Sequence, residues 1–265
     1  MTYFKNPNHS PNKDFLQMMI ETGGNDSQVP ICNGTIIDFN KTPHLLVAGT
    51  TGFGKSCAVH SLLLALFHCT TPWDTNFIFI DPKMTELTRY DNLPHRLMDP
   101  VYMMDDAFET LEKVRDIMMD RYNHMRENRL TMFDGGPLYV VIDELSALVF
   151  HDKNVVKTLS EIAMLGRAAK IHLICSTQLP TRKVLSNQVV ANFDAKLCLH
   201  CSDPISYRTV LGYTPAWTPE EPGEAILWRS GREKHIRACY TTLEDYDYYI
   251  NHIEVTTPAL NWSFA

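Results

Sequence analysis

HLLVAGTTGFGKS, residues 44–56, runs an apolar segment directly into the pattern G-x-x-x-x-G-K-[ST]. In such a loop the glycines let the backbone turn so that its N–H groups face phosphate oxygens. A lysine brings a point charge to the β and γ phosphates, and a hydroxyl reaches the accompanying magnesium ion. Gly49, Gly52 and Gly54 occupy the turning positions, with Thr50, Thr51 and Phe53 between them. Lys55 supplies the charge, Ser56 the hydroxyl, and Cys57 completes the candidate nucleotide-binding stretch. The run 45–48 reads as a buried strand, and apolar residues at 58, 59, 62, 63 and 66 predict a helix over 55–67 packed on a sheet. The N-terminus of that helix adds a partial positive charge beneath the phosphates. A strand, a glycine loop and a helix in this order predict a P-loop nucleotide site on an α/β fold.

LYVVIDE, residues 138–144, is a second apolar strand, and it ends in two adjacent carboxylates. Asp143 is expected to hold Mg²⁺ through a water, and Glu144 to orient and deprotonate the attacking water as general base. Phosphoryl transfer needs positioning and charge neutralisation more than covalent chemistry. The two motifs therefore predict hydrolysis, with ATP and Mg²⁺ bound.

Composition narrows the remaining choices. With 265 residues and 45% apolar content, the chain can bury one substantial core. No apolar run reaches the length of a membrane span and no signal peptide is visible, so a soluble, cytoplasmic protein without direct membrane insertion is expected. Seven dispersed cysteines fit reduced core thiols better than a disulfide framework, and the Cys198/Cys201 pair lacks a second pair to complete a zinc site. A net charge of −7 rules out a wholly basic surface. It leaves room for basic residues confined to a pore, because the local field is what attracts phosphates.

Along the chain, residues 1–35 are polar and rich in Asn and Pro, and read as an N-terminal arm or cap. Short apolar runs at 45–48, 77–80, 139–142, 171–175 and 196–199 alternate with helical stretches, including a long helix over 106–128 whose Met and aromatic residues read as core. This alternation predicts a mostly parallel central sheet flanked by helices over 36–242. Runs at 225–228 and 235–240 read as a terminal hairpin, followed by an acidic, aromatic tail at 243–265.

Four strings in order, PHLLVAGTTGFGKS (43–56), FIFIDPKMTEL (77–87), VIDELSAL (141–148) and GRAAKIHLICSTQLP (166–180), closely resemble the motor domain of the FtsK/SpoIIIE DNA translocases over residues 30–242. The resemblance implies a RecA-like fold and a homo-oligomeric ring, in that family six subunits around double-stranded DNA. It also implies that Gln178 is a polar sensor of the γ-phosphate or its water. Asp81 and Lys83 follow the second strand, on the edge where ligands gather in open α/β sheets; a local turn around Pro82 is the other reading. Ring ATPases of this kind take an arginine from a neighbouring subunit, for which Arg96, Arg167 and Arg208 are candidates. Sequence-independent contact with DNA phosphates would fall to Arg126 and Arg129, or to Arg182 and Lys183.

The chain departs from the family pattern at three places. Phe53 replaces a small residue and is expected to point outward, leaving phosphate binding intact while altering a neighbour contact. Leu179 and Val190 stand where that family often has Arg and Lys, which removes positive charge from the expected pore side. Without an apparent anchor or winged-helix module, the sequence reads as a minimal stand-alone motor. It would serve a plasmid, phage or mobile element in DNA transfer, replication or packaging, with a relaxase, Rep-like protein, membrane or capsid component as partner. The other readings are a protein-secretion ATPase of the same superfamily and a nucleotide-dependent recruitment scaffold. A kinase fits poorly, since no Arg-rich lid follows 171–177.

Overall fold

A computed structural model describes residues 13–32, 34–242 and 245. The chain begins with helix α1 (Lys13–Thr22), the antiparallel pair β1 (Gln28–Cys32) and β2 (Thr35–Asp38), strand β3 (Leu45–Ala48) and helix α2 (Lys55–Cys69). There follow β4 (Asn76–Ile80), α3 (Met104–Asn128), β5 (Leu138–Ile142), α4 (Leu145–His151), α5 (Asn154–Leu165) and β6 (Ile171–Thr177). The chain continues through α6 (Asn187–Ala191), β7 (Ala195–Cys198), α7 (Pro204–Leu211), β8 (Glu224–Arg229) and β9 (Arg232–Arg237).

Seven strands form one sheet in the order β4-β5-β6-β3-β7-β8-β9. The first five run parallel and the last two are antiparallel, so the predicted terminal hairpin completes one edge. Parallel strands need crossover helices, which cover both faces and bury the strands completely. That is why β3, β5, β6 and β7 are buried along their whole length. Alternate side chains go to opposite faces. Leu45, Val47, Phe77, Phe79, Tyr139 and Val141 pack with α2 in one core. Leu46, Ala48, Ile78, Ile80, Val140 and Ile142 pack against α3, α4 and α5 in the other. The long helix contributes Leu111, Val114, Met118 and Met125 as core residues.

A domain boundary at residue 35 does not follow the packing. Phe15 and Met18 of α1, with Val29 and Ile31 of β1, are buried in the first core, and residue 35 itself begins the strand paired with β1. The described part of 1–35 is therefore packed on the body through these residues. The expected tail, 243–265, lies outside the described residues except for Asp245, whose carboxylate accepts the Thr242 N–H at 2.8 Å. Gly136 shows how tight the turn into β5 is, because a Cβ there would lie 1.7 Å from the Asp74 carbonyl oxygen.

Two histidines buried beneath β3 and β6 tie stability to pH. His44 Nδ1 accepts the Leu173 N–H at 3.0 Å, so its proton sits on Nε2 and is donated to the Ala163 carbonyl at 3.0 Å. His172 Nδ1 donates to the Pro43 carbonyl at 3.1 Å. Burial pulls His44 down to about 4 and His172 down to about 3. Each stays neutral in the fold while its unfolded counterpart takes a proton below about 6.5, so stability is complete above that pH and falls as pH drops toward 4. At pH 5 the penalty is about 2 kcal/mol for each group, which should lower the melting temperature by roughly 10 °C relative to pH 7.5. Calorimetry at the two pH values checks this, and equal melting temperatures would contradict it.

Candidate nucleotide and catalytic site

The site lies at the carboxyl ends of three adjacent strands. β6 sits between β3 and β5, pairing Ala48 with Thr177 and Ile142 with Cys175. This order brings the loop after β3, the two acids after β5 and the polar end of β6 to one edge, where open α/β sheets gather ligands. Gly52 and Gly54 both take φ 88, a left-handed conformation open to glycine without strain. Gly54 stands at the start of α2. A Cβ on Gly49 would come within 2.8 Å of Leu199 Cβ, so the loop passes close to β7. The Thr50 N–H fastens it there by donating to the His200 carbonyl at 2.8 Å.

Lys55 is buried and donates from Nζ to Asp143 Oδ1 at 3.1 Å and to Ser176 Oγ at 2.9 Å. Ser176 in turn donates to Asp143 Oδ1 at 2.5 Å. The strand between the two motifs thus supplies a hydroxyl that joins them. Ser176 was not identifiable as a site residue from sequence. Its signal is weak: a small polar side chain near the end of an otherwise apolar run, meaningful only once β6 is known to lie between β3 and β5.

Glu144 takes φ 59, ψ 66 at the start of α4. Its Oε1 accepts from Thr177 Oγ1 at 3.2 Å, from the Gln178 N–H at 3.1 Å and from Ser146 Oγ, while Oε2 accepts from Lys83 Nζ at 2.8 Å. Burial alone pushes this carboxyl upward, but the Lys83 ammonium, the Ser146 hydroxyl and the Gln178 N–H together hold it below the ordinary value. Gln178 also reaches the phosphate loop, its side-chain Oε1 accepting from Thr51 Oγ1 at 2.8 Å.

The turn after β4 has two distinct roles. Asp81 is fully buried, and its carboxylate accepts the backbone N–H groups of Lys83, Thr85, Glu86 and Leu87 at 2.9–3.1 Å. It staples the turn and points away from any ligand role, whereas Lys83 reaches Glu144. The same turn delivers Glu86, a residue sequence reasoning missed. Glu86 accepts from Ser56 Oγ at 2.8 Å and contacts His60 Nε2 at 3.1 Å; His60 Nδ1 meets Tyr90 at 2.9 Å. The His60 contact, opposed by burial and aided by Ser56, brings Glu86 down to about 2. The Ser56 hydroxyl and the Asp143 carboxylate are hard oxygen donors beside the buried Lys55, a donor set that fits Mg²⁺.

Phe53 is half-buried. Its ring stacks on His200 at 4.0 Å between centroids, and its backbone carbonyl accepts the Gly223 N–H at 3.0 Å. Aromatic stacking stabilises this pose, and His200 is itself held by the Pro219 carbonyl at 2.8 Å. Cys57 has its thiol pushed up by burial and directed at the Thr241 carbonyl, 3.7 Å away. Cys198 and Cys201 lie 3.8 Å apart in the core, and among the described residues no three His, Cys, Asp or Glu side chains could hold a metal ion.

The candidate arginines are not gathered together. Arg96 lies beside the start of β4, paired with Asp99 at 2.7 Å, and Arg167 is exposed just before β6. Both sit at the opposite end of the strands from the phosphate loop, roughly 20 Å away along a seven-residue strand, and cannot serve their own chain's nucleotide. Arg208 on α7 donates to Thr214 Oγ1 at 3.1 Å. Arg126 and Arg129 are exposed at the end of α3, near the start of β5, whereas Arg182 and Lys183 are exposed beyond the end of β6. The two basic pairs therefore occupy opposite edges of the sheet and cannot form a single loop surface.

Residues 27–137 match the model of the FtsK/SpoIIIE family. The chain is 33% identical over 220 residues to a DNA translocase FtsK of Rickettsia prowazekii, covering 67% of this chain and 30% of that protein. It is 30% identical over 264 residues to the DNA translocase FtsK of Mesorhizobium japonicum, covering 83% of this chain and 30% of that protein. This chain carries an FtsK/SpoIIIE-type motor domain. The motor domain thus spans about 30% of the length of these relatives. Among solved structures, it resembles the pCW3 conjugation coupling protein TcpA determined with ATPγS, with a TM-score of 0.75 and 25% identity over 94% of this chain and 74% of that one. The cytoplasmic domain of the Thermomonospora curvata type VII secretion ATPase EccC shares the fold at a TM-score of 0.76 and 21% identity, covering 97% of this chain and 33% of that one. The motor domain is thus an α/β fold of the P-loop ATPase type, with its mostly parallel sheet and two helical layers. Among the described residues no helix is long and apolar enough to cross a membrane.

Proposed function

We propose that this motor domain hydrolyses ATP and couples hydrolysis to movement along double-stranded DNA. The observation that carries the reading is the meeting of Lys55, Asp143, Ser176, Glu144 and Gln178 at one sheet edge. The loop N–H groups and Lys55 bind the phosphates, with the lysine exchanging its Asp143 contact for the β and γ oxygens. Ser56 and Asp143 are the residues that would hold Mg²⁺, which supplies charge neutralisation on the transferred group. Glu144 takes a proton from the attacking water as the water oxygen bonds to the γ-phosphorus and the bond to the ADP oxygen breaks. Gln178, joined to Thr51, links the nucleotide to the segment carrying Arg182 and Lys183.

DNA as the track rests on the translocase relatives, and the likeness to a conjugation coupling protein supports service to a plasmid, phage or other mobile element. Arg182 and Lys183 follow the sensor strand on the catalytic edge, which makes them the better placed of the two basic pairs for a pore contact read through phosphates. A homo-oligomeric ring, six subunits in the family, would let Arg96 or Arg167 act on the neighbour's nucleotide. A relaxase, Rep-like, membrane or capsid partner would supply location. One observation favours a protein substrate instead: Leu179, beside the sensor, is 54% exposed and apolar where a basic residue would suit DNA.

Steady-state ATP turnover is measured with no nucleic acid, with long duplex and with single strands. Strong stimulation by duplex supports the DNA motor, and turnover indifferent to DNA moves the reading to a protein-moving ATPase. Reversing the charge of Arg182 and Lys183 together is expected to weaken duplex binding equally on every sequence and to flatten its salt dependence. An unchanged salt slope would place the DNA path elsewhere.

A further inference from the structure

The contacts of Glu144 raise a question that the hydrolysis reading leaves open. A general base needs a basic carboxylate oxygen open to the water, yet Oε1 of Glu144 already accepts three hydrogen bonds and Oε2 is paired with the Lys83 ammonium, which occupies that oxygen and lowers its basicity. On Oε1, the Thr177 hydroxyl and the Gln178 N–H come from the end of β6 and the Ser146 hydroxyl from α4. Thr177 and Ser146 are themselves buried. On Oε2, the partner is Lys83, an ammonium on a flexible four-carbon stem whose side chain is 40% exposed, against 3% for Glu144. Lys83 is therefore the partner able to leave without dismantling the core.

The turn that carries Lys83 is built to hold and to release. Asp81 anchors its backbone through four N–H groups, while Met84, the residue after Lys83, stands at φ 54, a left-handed conformation that strains a side-chain-bearing residue. Two residues further, Glu86 holds the hydroxyl of Ser56 in the phosphate loop. One short segment thus grips the nucleotide side of the site through Ser56 and the base through Lys83. A ligand that draws the Ser56 hydroxyl away from Glu86 acts on the same turn that positions Lys83.

We propose that Lys83 is a positioning residue that holds Glu144 in a resting pose, and that nucleotide binding frees the Glu144 carboxylate by withdrawing the Lys83 ammonium from Oε2. The inference rests on Glu144 being the base. No partner or additional cofactor is required.

Two measurements on the whole chain test it. Lys83→Met is expected to raise DNA-independent turnover on the order of tenfold, because every wild-type turnover must break the Lys83–Glu144 contact after nucleotide binds and the variant omits that step. Lys83→Arg keeps a cation within reach of Oε2 and restores the restraint, which loss of packing alone would not predict. Turnover of Lys83→Met at or below that of the wild type would overturn the proposal. The second measurement uses unaltered protein: reductive dimethylation of lysines, read by mass spectrometry, with and without Mg²⁺ and ATPγS. Labelling of Lys83 is expected to rise severalfold with nucleotide, and equal or reduced labelling overturns the proposal. If the wild type shows no turnover under any condition yet Lys83 labelling rises, the hydrolysis reading fails and the release of Lys83 stands. If turnover is strong and labelling is flat, the hydrolysis reading stands and the restraint fails.

Discussion

Glu144→Gln is expected to leave ATP bound while its hydrolysis falls by about 10²- to 10⁴-fold, the usual contribution of a positioned general base. The substitution keeps the shape and the acceptor oxygen of the side chain, so the contacts from Thr177, Ser146 and the Gln178 N–H can persist and the site keeps its form. It removes the negative charge that accepts the proton. Because Lys55, Ser56 and Asp143 are untouched, nucleotide affinity should be retained. Phosphate release and binding of a fluorescent ATP analogue separate the two effects. Normal turnover would mean that Glu144 is a structural acid and that the base lies elsewhere.

Lys55→Ala has a double consequence, on binding and on the fold. Loss of the ammonium removes the charge-assisted contact to the phosphates, which should weaken nucleotide binding by about 100-fold. It also leaves Asp143 buried with Ser176 as its remaining side-chain donor. Stranding one partner of a buried ion pair costs about 3 kcal/mol or more, so this variant should be less stable even without nucleotide. Urea denaturation of Lys55→Ala and of Lys55→Ala/Asp143→Ala reads this directly, since deleting both charges should recover part of the loss. Unchanged stability of the single variant would show that water reaches Asp143 and that the pair is not truly buried.

Much of the fold was legible because it depends on local pattern. The run 45–48 is the observed β3, and the other parallel strands lie within two residues of the expected bounds at either end. Continuous apolar runs of Val, Ile, Leu and Phe mark strands covered on both faces, and helical spacing marks their crossovers. The N-terminal segment reads as an arm or cap because its polar composition hides a few anchoring residues. Phe15, Met18, Val29 and Ile31 suffice to bury α1 and β1 on the body, although their surroundings look like an arm. The contact of Phe53 is hidden for a related reason: its stacking partner, His200, follows β7, which only the sheet order sets beside β3 and its phosphate loop.

The phosphate loop, the strand carrying Asp143 and Glu144, and the family to which the motor domain belongs are all legible in the linear chain. Each is encoded in contiguous residues whose spacing is the chemistry. The tertiary structure alone decided that Ser176 joins Lys55 to Asp143, that Glu86 holds Ser56 and that Lys83 holds Glu144. Lys83 and Glu144 are 61 residues apart, and Lys55 and Ser176 are 121 apart. Such pairs meet only because the crossovers set β6 between β3 and β5 and β4 beside β5, which brings the ends of all four strands to one edge.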